Sequence, residues 1–356
     1  KPDRVIVHPV DSCPCGADLS KTPARDYESR QVFDLPKPKL DVTEYRAEIK
    51  ECPCCGETIT ASFPESVTAP VQYGSSFQSL LVYLKDGQLL PLDRISQLCA
   101  DLYGYDVSAA PIESARKDCH GALEPFEEEL KKVLTASDLL HADESGLRVE
   151  GKLHWLHVVS QAHCTFYGVH EKRGRKAQDD FGILPLFAGA LMHDFWKPYL
   201  TYACAHVLCN AHHLRELTFL SEELHQTWAG KMIDLLLKML KFVQNQPGKI
   251  VGLSEKEIAP WLRRYQKILK EGYEANPSPP VRTGLRGRPK KTKAQNLLER
   301  LDQYRKNALA FLYDFRVPFT NNQAEQDIRM IKVQQKISGS FRTLEGARGF
   351  ARIRSY

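Results

Sequence analysis

Residues 139–171 read LLHADESGLRVEGKLHWLHVVSQAHCTFYGVHE. Apolar and polar side chains alternate in three short runs, and Glu150-Gly151 supplies a tight turn between the first two. The pattern predicts a three-stranded antiparallel meander over 138–171. On the first strand Leu139, His141, Asp143 and Ser145 point one way, and Leu140, Ala142 and Glu144 the other. Asp143 then stands in mid-strand, where a carboxylate is costly to bury unless it is paired or binds a metal.

Downstream, QDDFGILPLFAGALMHDFWKPYLTYA (178–203) reads as a helix, a short apolar strand ending near Asp194, and a connection. The order predicts an α/β sheet layer. Asp194 would follow the carboxyl end of its strand, where open α/β sheets bind ligands. Taken alone, either acid is more readily read as a turn or capping residue. Residues 205–275 read as helix. On that helix Cys204, His206, Cys209 and His212 do not all share a face, so a packed pair of Cys209 with His212 is the plainer reading than a zinc site.

Residues 282–293 hold Arg282, Arg286, Arg288, Lys290, Lys291 and Lys293 and no acid, the composition of a solvated basic loop. Within it Arg286-Gly287-Arg288-Pro289-Lys290 can lie extended in a narrow minor groove. Pro318 then interrupts a helical pattern, and VPFTNNQAEQDIRMIKVQQK (317–336) starts the next helix. Asn322 and Glu325 have capping-box spacing. Glu325 also shares a face with Arg329, Lys332 and Lys336, a stripe suited to phosphate, whereas Asp327 stands beside Met330 and Ile331.

Upstream, 71–136 carries apolar residues at helical spacing. Within it 91–117, PLDRISQLCADLYGYDVSAAPIESARK, fits a helix-turn-helix with Gly104 in the turn, or two ordinary packed helices. Residues 1–70 are proline-rich and too poor in apolar side chains for a core of their own. They hold the knuckle-like CPCG and CPCCG, in which Cys13, Cys15, Cys52 and Cys55 are the expected ligands of a structural zinc, with His8 or Cys54 as substitutes.

The chain has 356 residues, 42% hydrophobic and 26% charged, with a formal net charge of +5. That length favours several domains, and the charge fits a nucleic-acid partner without demanding one. No apolar run approaches the ~20 residues of a membrane span. Ten cysteines, five of them in the two knuckles, point to a reduced compartment and metal rather than a disulfide framework. The chain starts at Lys1 and reads as a piece of a longer or processed protein.

Three acids in the order strand Asp, post-strand Asp and helix Glu are how a ribonuclease H-like fold gathers carboxylates around two metal ions. The chain resembles the insertion sequence 66 family of bacterial DDE transposases. The resemblance rests on the two knuckles, RQVFDLPKPKLDVTEYR (30–46), HADESGLRVEGKLHWLHVVS (141–160), MHDFWKPY (192–199), LCNAHHLREL (208–217), RGRPKK (286–291) and VPFTNNQAEQDIRMIKVQQKISGSFRT (317–343). It implies Asp143, Asp194 and Glu325 as a catalytic triad binding Mg²⁺ or Mn²⁺, with Cys209 and His212 as a C-x-x-H element and Asn322 in support. The first knuckle is one residue shorter than the commoner C-x-x-C spacing.

The expected architecture is a zinc-binding module at 1–70 and a helical, DNA-binding region at 71–136. A ribonuclease H-like mixed sheet core follows at 137–220 and 316–356, with a helical insertion at 221–315. The implied activity is metal-dependent cleavage and transfer of DNA strands at insertion-sequence ends, with Arg286, Arg288, Lys290, Arg329 and Lys332 on the DNA. Implied partners are element-end and target DNA, further copies of the chain, and accessory proteins of the same element, in the cytoplasm at the nucleoid. A DNA-binding protein without catalysis, and a hydrolytic nuclease of the same fold, are the rival readings.

Overall fold

The computed structural model describes residues 1–246, 252–277 and 290–356. Most of the predicted basic loop, including Arg286 and Arg288, lies outside the described residues. The chain divides into two compact units, Lys1–Pro64 with Cys99–Tyr105, and Glu65–Leu98 with Asp106–Tyr356. In the smaller unit the one paired sheet is a hairpin of β1 (Ile49–Glu51) and β2 (Thr58–Thr60), which flanks the CPCCG turn.

The helical stretch before the meander forms α1 (Ser75–Val82), α2 (Leu92–Tyr103), α3 (Ala109–Ala122) and α4 (Glu124–Thr135). Gly104 sits between α2 and α3 at φ +66°, a left-handed conformation that costs glycine least. The meander follows as β3 (Leu139–Val149), β4 (Lys152–Gln161) and β5 (Cys164–His170). Glu150 and Gly151 both take positive φ, as a two-residue hairpin turn requires.

After α5 (Arg175–Phe181), β6 (Ala190–His193) joins β3 in parallel and β7 (Ala205–Leu208) joins β6 in parallel. The sheet order is β5-β4-β3-β6-β7, so the strand carrying Asp143 is central. The strand β7 corrects the expectation of helix from residue 205. Four residues are too few to show a period, and Val207 and Leu208 are buried by their place in the sheet rather than by a helical stripe.

The remaining elements are helices: α6 (Asn210–Glu222), α7 (Thr227–Gln244), α8 (Glu255–Ala275), α9 (Lys293–Gln303), the single turns α10 (Arg305–Ala308) and α11 (Ala310–Tyr313), α12 (Asn322–Ser338) and α13 (Leu344–Ser355). Three of the cores among the described residues follow from where their apolar faces go. Ala324, Ile328 and Ile331 of α12 and Phe350 and Ala351 of α13 cover Leu147, Val149, Leu156 and Val158 on one sheet face. Leu130 and Leu134 of α4 lie against Leu140, Ala142, Val159 and Phe166 on the other. The third core, around Trp228, Tyr265 and Leu298, belongs to α6 to α9 with Leu309, Phe311 and Leu312. No described helix is long and apolar enough to cross a membrane.

Candidate functional site

The alternation along β3 decides which acids can meet. Leu147 and Val149 pack under α12 while Leu140 and Ala142 pack under α4, so Asp143 faces α12 and Glu144 faces away from it. Asp143 is half-buried, and its Oδ1 accepts the Glu144 backbone N–H at 2.8 Å. Its carboxyl is pushed up to about 7, first by burial and then by the charges of Glu144, Asp194 and Glu325. Three segments far apart in sequence thus place carboxylates within electrostatic range of one another.

Asp194 follows β6 directly, and its Oδ1 accepts the Trp196 backbone N–H at 2.8 Å, which shapes the loop leaving the strand. Just before it, His193 is fully buried, its Nδ1 against the Asp194 carbonyl and its Nε2 3.2 Å from His206 Nδ1. Burial holds the His193 imidazole down to about 3. Cys204, His206, Cys209 and His212 are therefore spread over a loop, a strand and a helix start, not one helix, and His206 bonds His193 and the Tyr202 carbonyl.

Glu325 lies on the first turn of α12, its side chain 25% exposed. Cys209 Sγ is 3.9 Å and His212 Nδ1 3.8 Å from its Oε1. Among the described residues, Cys209, His212 and Glu325 are the one group of three potential ligands with all ligand atoms within 4.8 Å of one another. Asp143, Asp194 and Glu325 do not close to that degree. The Cys209 thiol is raised, chiefly by burial, so it is a neutral neighbour of the Glu325 carboxylate.

The capping box expected of Asn322 and Glu325 does not form. The helix starts one residue earlier than that spacing assumes, with Asn321 as the flanking residue, and no side chain caps it. Asn321, which is not among the residues expected from sequence, is 1% exposed and ties three segments together. Its Nδ2 donates to the Ala142 carbonyl at 2.9 Å, its Oδ1 lies 2.9 Å from His141 Nδ1, and its backbone N–H donates to Cys209 Sγ at 3.1 Å. The buried asparagine fastens the start of α12 to the residues just before Asp143. The adjacent asparagines of TNNQ are the one signal of it in the sequence. Asn322 itself is exposed.

Asp327 takes no part in this group. Its Oδ2 accepts the Thr165 hydroxyl at 3.0 Å, over β5. Glu144, on the far face, is held by an ion pair with Arg173 and a hydrogen bond from the Tyr199 hydroxyl. Arg329 and Lys332 are exposed on α12, with Lys332 Nζ donating to the Gly146 carbonyl at 2.7 Å, and Lys290 is exposed ahead of α9.

In the smaller unit the knuckle thiols pair. Cys15 is held below its ordinary value by the Ala17 backbone N–H and then by the Cys13 thiol, and Cys52 by the backbone N–H groups of Cys55 and Cys54 and then by the Cys55 thiol. No three of the four converge on one ligand-sized point among the described residues. All ten cysteines are free thiols.

Residues 70–349 match the model of the Transposase IS66 family, and residues 11–56 match that of the zinc-finger binding domain of transposase IS66. No curated protein matches the chain. The first match alone spans more than three-quarters of the sequence and takes in the central sheet, the elements carrying all three acids and the helices between them. The chain belongs to the IS66 family of transposases.

Proposed function

We propose that the protein cuts and joins DNA strands at insertion-sequence ends, using Asp143, Asp194 and Glu325 in a ribonuclease H-like core. The observation that carries this reading is the Asp143 carboxyl, raised to about 7 on a central strand by burial and by three neighbouring acids. Such a cluster of like charges is unfavourable by itself and becomes favourable when cations share it. The strand order β5-β4-β3-β6-β7, antiparallel on one side of β3 and parallel on the other, supports the ribonuclease H-like assignment. In this reading 137–220 and 316–356 form the catalytic domain and 221–315 its insertion.

The donors fit hard divalent cations, since Asp143, Asp194 and Glu325 offer carboxylate oxygen only. Magnesium or manganese held by these three would supply positive charge to the developing phosphorane and lower the pKa of the attacking hydroxyl. The chain's own contribution is position. The β3 backbone fixes one Asp143 oxygen through the Glu144 N–H, the Trp196 N–H fixes one Asp194 oxygen, and Asn321 sets the start of the helix that carries Glu325. Cys209 and His212 border Glu325 and limit where its carboxylate can turn. Arg329 and Lys332, with Lys336, extend a basic stripe below Glu325 that suits a phosphate backbone.

Zinc fits the paired thiols of Cys13, Cys15, Cys52 and Cys55, once the two knuckles close on one ion. That module and the α2–α3 pair are assigned to recognition of element ends, with Arg286, Arg288 and Lys290 gripping backbone. The test is cleavage and joining of element-end DNA by purified protein with magnesium. Asp143→Asn, Asp194→Asn and Glu325→Gln are expected to abolish both steps without loss of DNA binding, while Asp327→Asn keeps them. Strand transfer by Glu325→Gln protein would overturn the assignment.

A further inference from the structure

The acid next to Asp143 is buried on the opposite face of the sheet, and its partners lead back to the site. The Glu144 side chain is 1% exposed, and its Oε1 accepts Arg173 Nε at 2.9 Å and Nη2 at 2.7 Å. Its Oε2 accepts the hydroxyl of Tyr199 at 2.5 Å, and Tyr199 is fully buried. The Arg173 guanidinium also lies over two indole rings, 4.4 Å from the centroid of Trp196 and 4.9 Å from that of Trp155. Trp196 meets Tyr199 edge-on at 5.6 Å, and its backbone N–H holds Asp194 Oδ1.

Arg173 is thus fixed by β3 through Glu144, by β4 through Trp155, and by the loop after β6 through Trp196. Of those three contacts, only Trp196 belongs to the segment that carries Asp194. That loop has no regular element between His193 and Tyr199 to hold its shape. The pair is a weak source of stability, because desolvation of Glu144 offsets its attraction and the Arg173 side chain stays 40% exposed. Stacking under an indole fixes the direction of a guanidinium as well as its charge, which a lysine at the same place would not do.

We propose that Arg173 is a positioning residue for Asp194, acting as a clamp that ties the 194–198 loop to the central strands through Trp196. The inference rests on Asp194 being one of the metal-binding acids. Removing the clamp leaves the donors present but lets the Asp194 carboxylate wander, so metal affinity falls although no ligand is lost. Changes to groups that orient ligands weaken metal binding by about tenfold or more.

The experiment titrates Mn²⁺ into the full-length, zinc-loaded chain, follows the free-ion electron paramagnetic resonance signal, and records thermal melts alongside. Wild-type protein and Asp194→Asn calibrate the site. Arg173→Lys retains charge opposite Glu144 but not the fork or the stacking. Arg173→Met combined with Glu144→Gln removes both charges and leaves no uncompensated carboxylate in the core. The proposal expects both variants to melt within a few degrees of wild type and to bind Mn²⁺ about tenfold more weakly. Wild-type Mn²⁺ affinity in either variant would reduce Arg173 to a charge partner of Glu144 and overturn the clamp. Unchanged Mn²⁺ binding in Asp194→Asn would instead refute the metal-site reading, and the clamp with it.

Discussion

Replacing Asp143 with asparagine should make the metal-free protein more stable at pH 8, although it removes an acid assigned to catalysis. In the folded chain this carboxyl is raised from its ordinary 3.8 to about 7. Between those values the folded state holds a proton that the unfolded state has released, so rising pH favours unfolding. The penalty starts near pH 4, grows to about pH 7, and is fully present above it. A tenfold change in proton affinity is worth about 1.4 kcal/mol, which puts the ceiling near ~4 kcal/mol. Asp143 is only half-buried, and relaxation of its acidic neighbours lowers the figure, so ~2 kcal/mol is the working magnitude. For a unit of this size that is a rise in melting temperature of about 3 °C.

Asparagine can keep the bond from the Glu144 N–H, and the histidines held down by burial, His120, His141, His157, His193 and His213, are present in both proteins. The difference between variant and wild type therefore isolates Asp143. Thermal melts from pH 4.5 to 8.5, free of magnesium and manganese, should show that difference near zero at the acid end and level above pH 7. Adding magnesium should then raise the wild type and leave the variant unmoved. A variant that melts below wild type at pH 8, or a difference independent of pH, would refute the electrostatic account of the site.

Asn321→Ala is expected to cost about 2–4 kcal/mol in urea unfolding, because it strands the Ala142 carbonyl and the His141 imidazole in a buried place. Full-length protein should carry zinc by elemental analysis, and Cys52→Ser or Cys55→Ser should release it without shifting the melting of the larger unit. Arg329→Ala should lower the salt slope of DNA binding by about 1, measured by fluorescence anisotropy across salt concentrations. Lys332→Ala should lower it less, since the Lys332 ammonium is already donated to the Gly146 carbonyl.

Much of the central sheet is legible without coordinates. Period-two alternation and the Glu150-Gly151 turn delimit β3 and β4, because strand period and turn chemistry are local properties of the backbone. The short strand before Asp194 is readable from its apolar run. The strand β7 is not, because four residues carry no period and its burial is decided by β6 beside it. The same limit explains the capping box. Asn322 and Glu325 have the spacing, but the neighbouring Asn321 is drawn to His141 and Ala142, 179–180 positions away, and the helix start follows that buried demand.

The sequence by itself determined the alternation that puts Asp143 and Glu144 on opposite faces, the knuckles, the helical segments and the family. Tertiary structure alone decided which acids share an environment. Asp194 and Glu325 raise the proton affinity of Asp143 only because β6 lies parallel to β3 and α12 crosses the face that Asp143 points to. It also decided that Glu144 is answered by Arg173 and that Asp327 turns to Thr165. Charge interactions depend on distance through space, and a linear order of residues does not contain that distance until packing has set it.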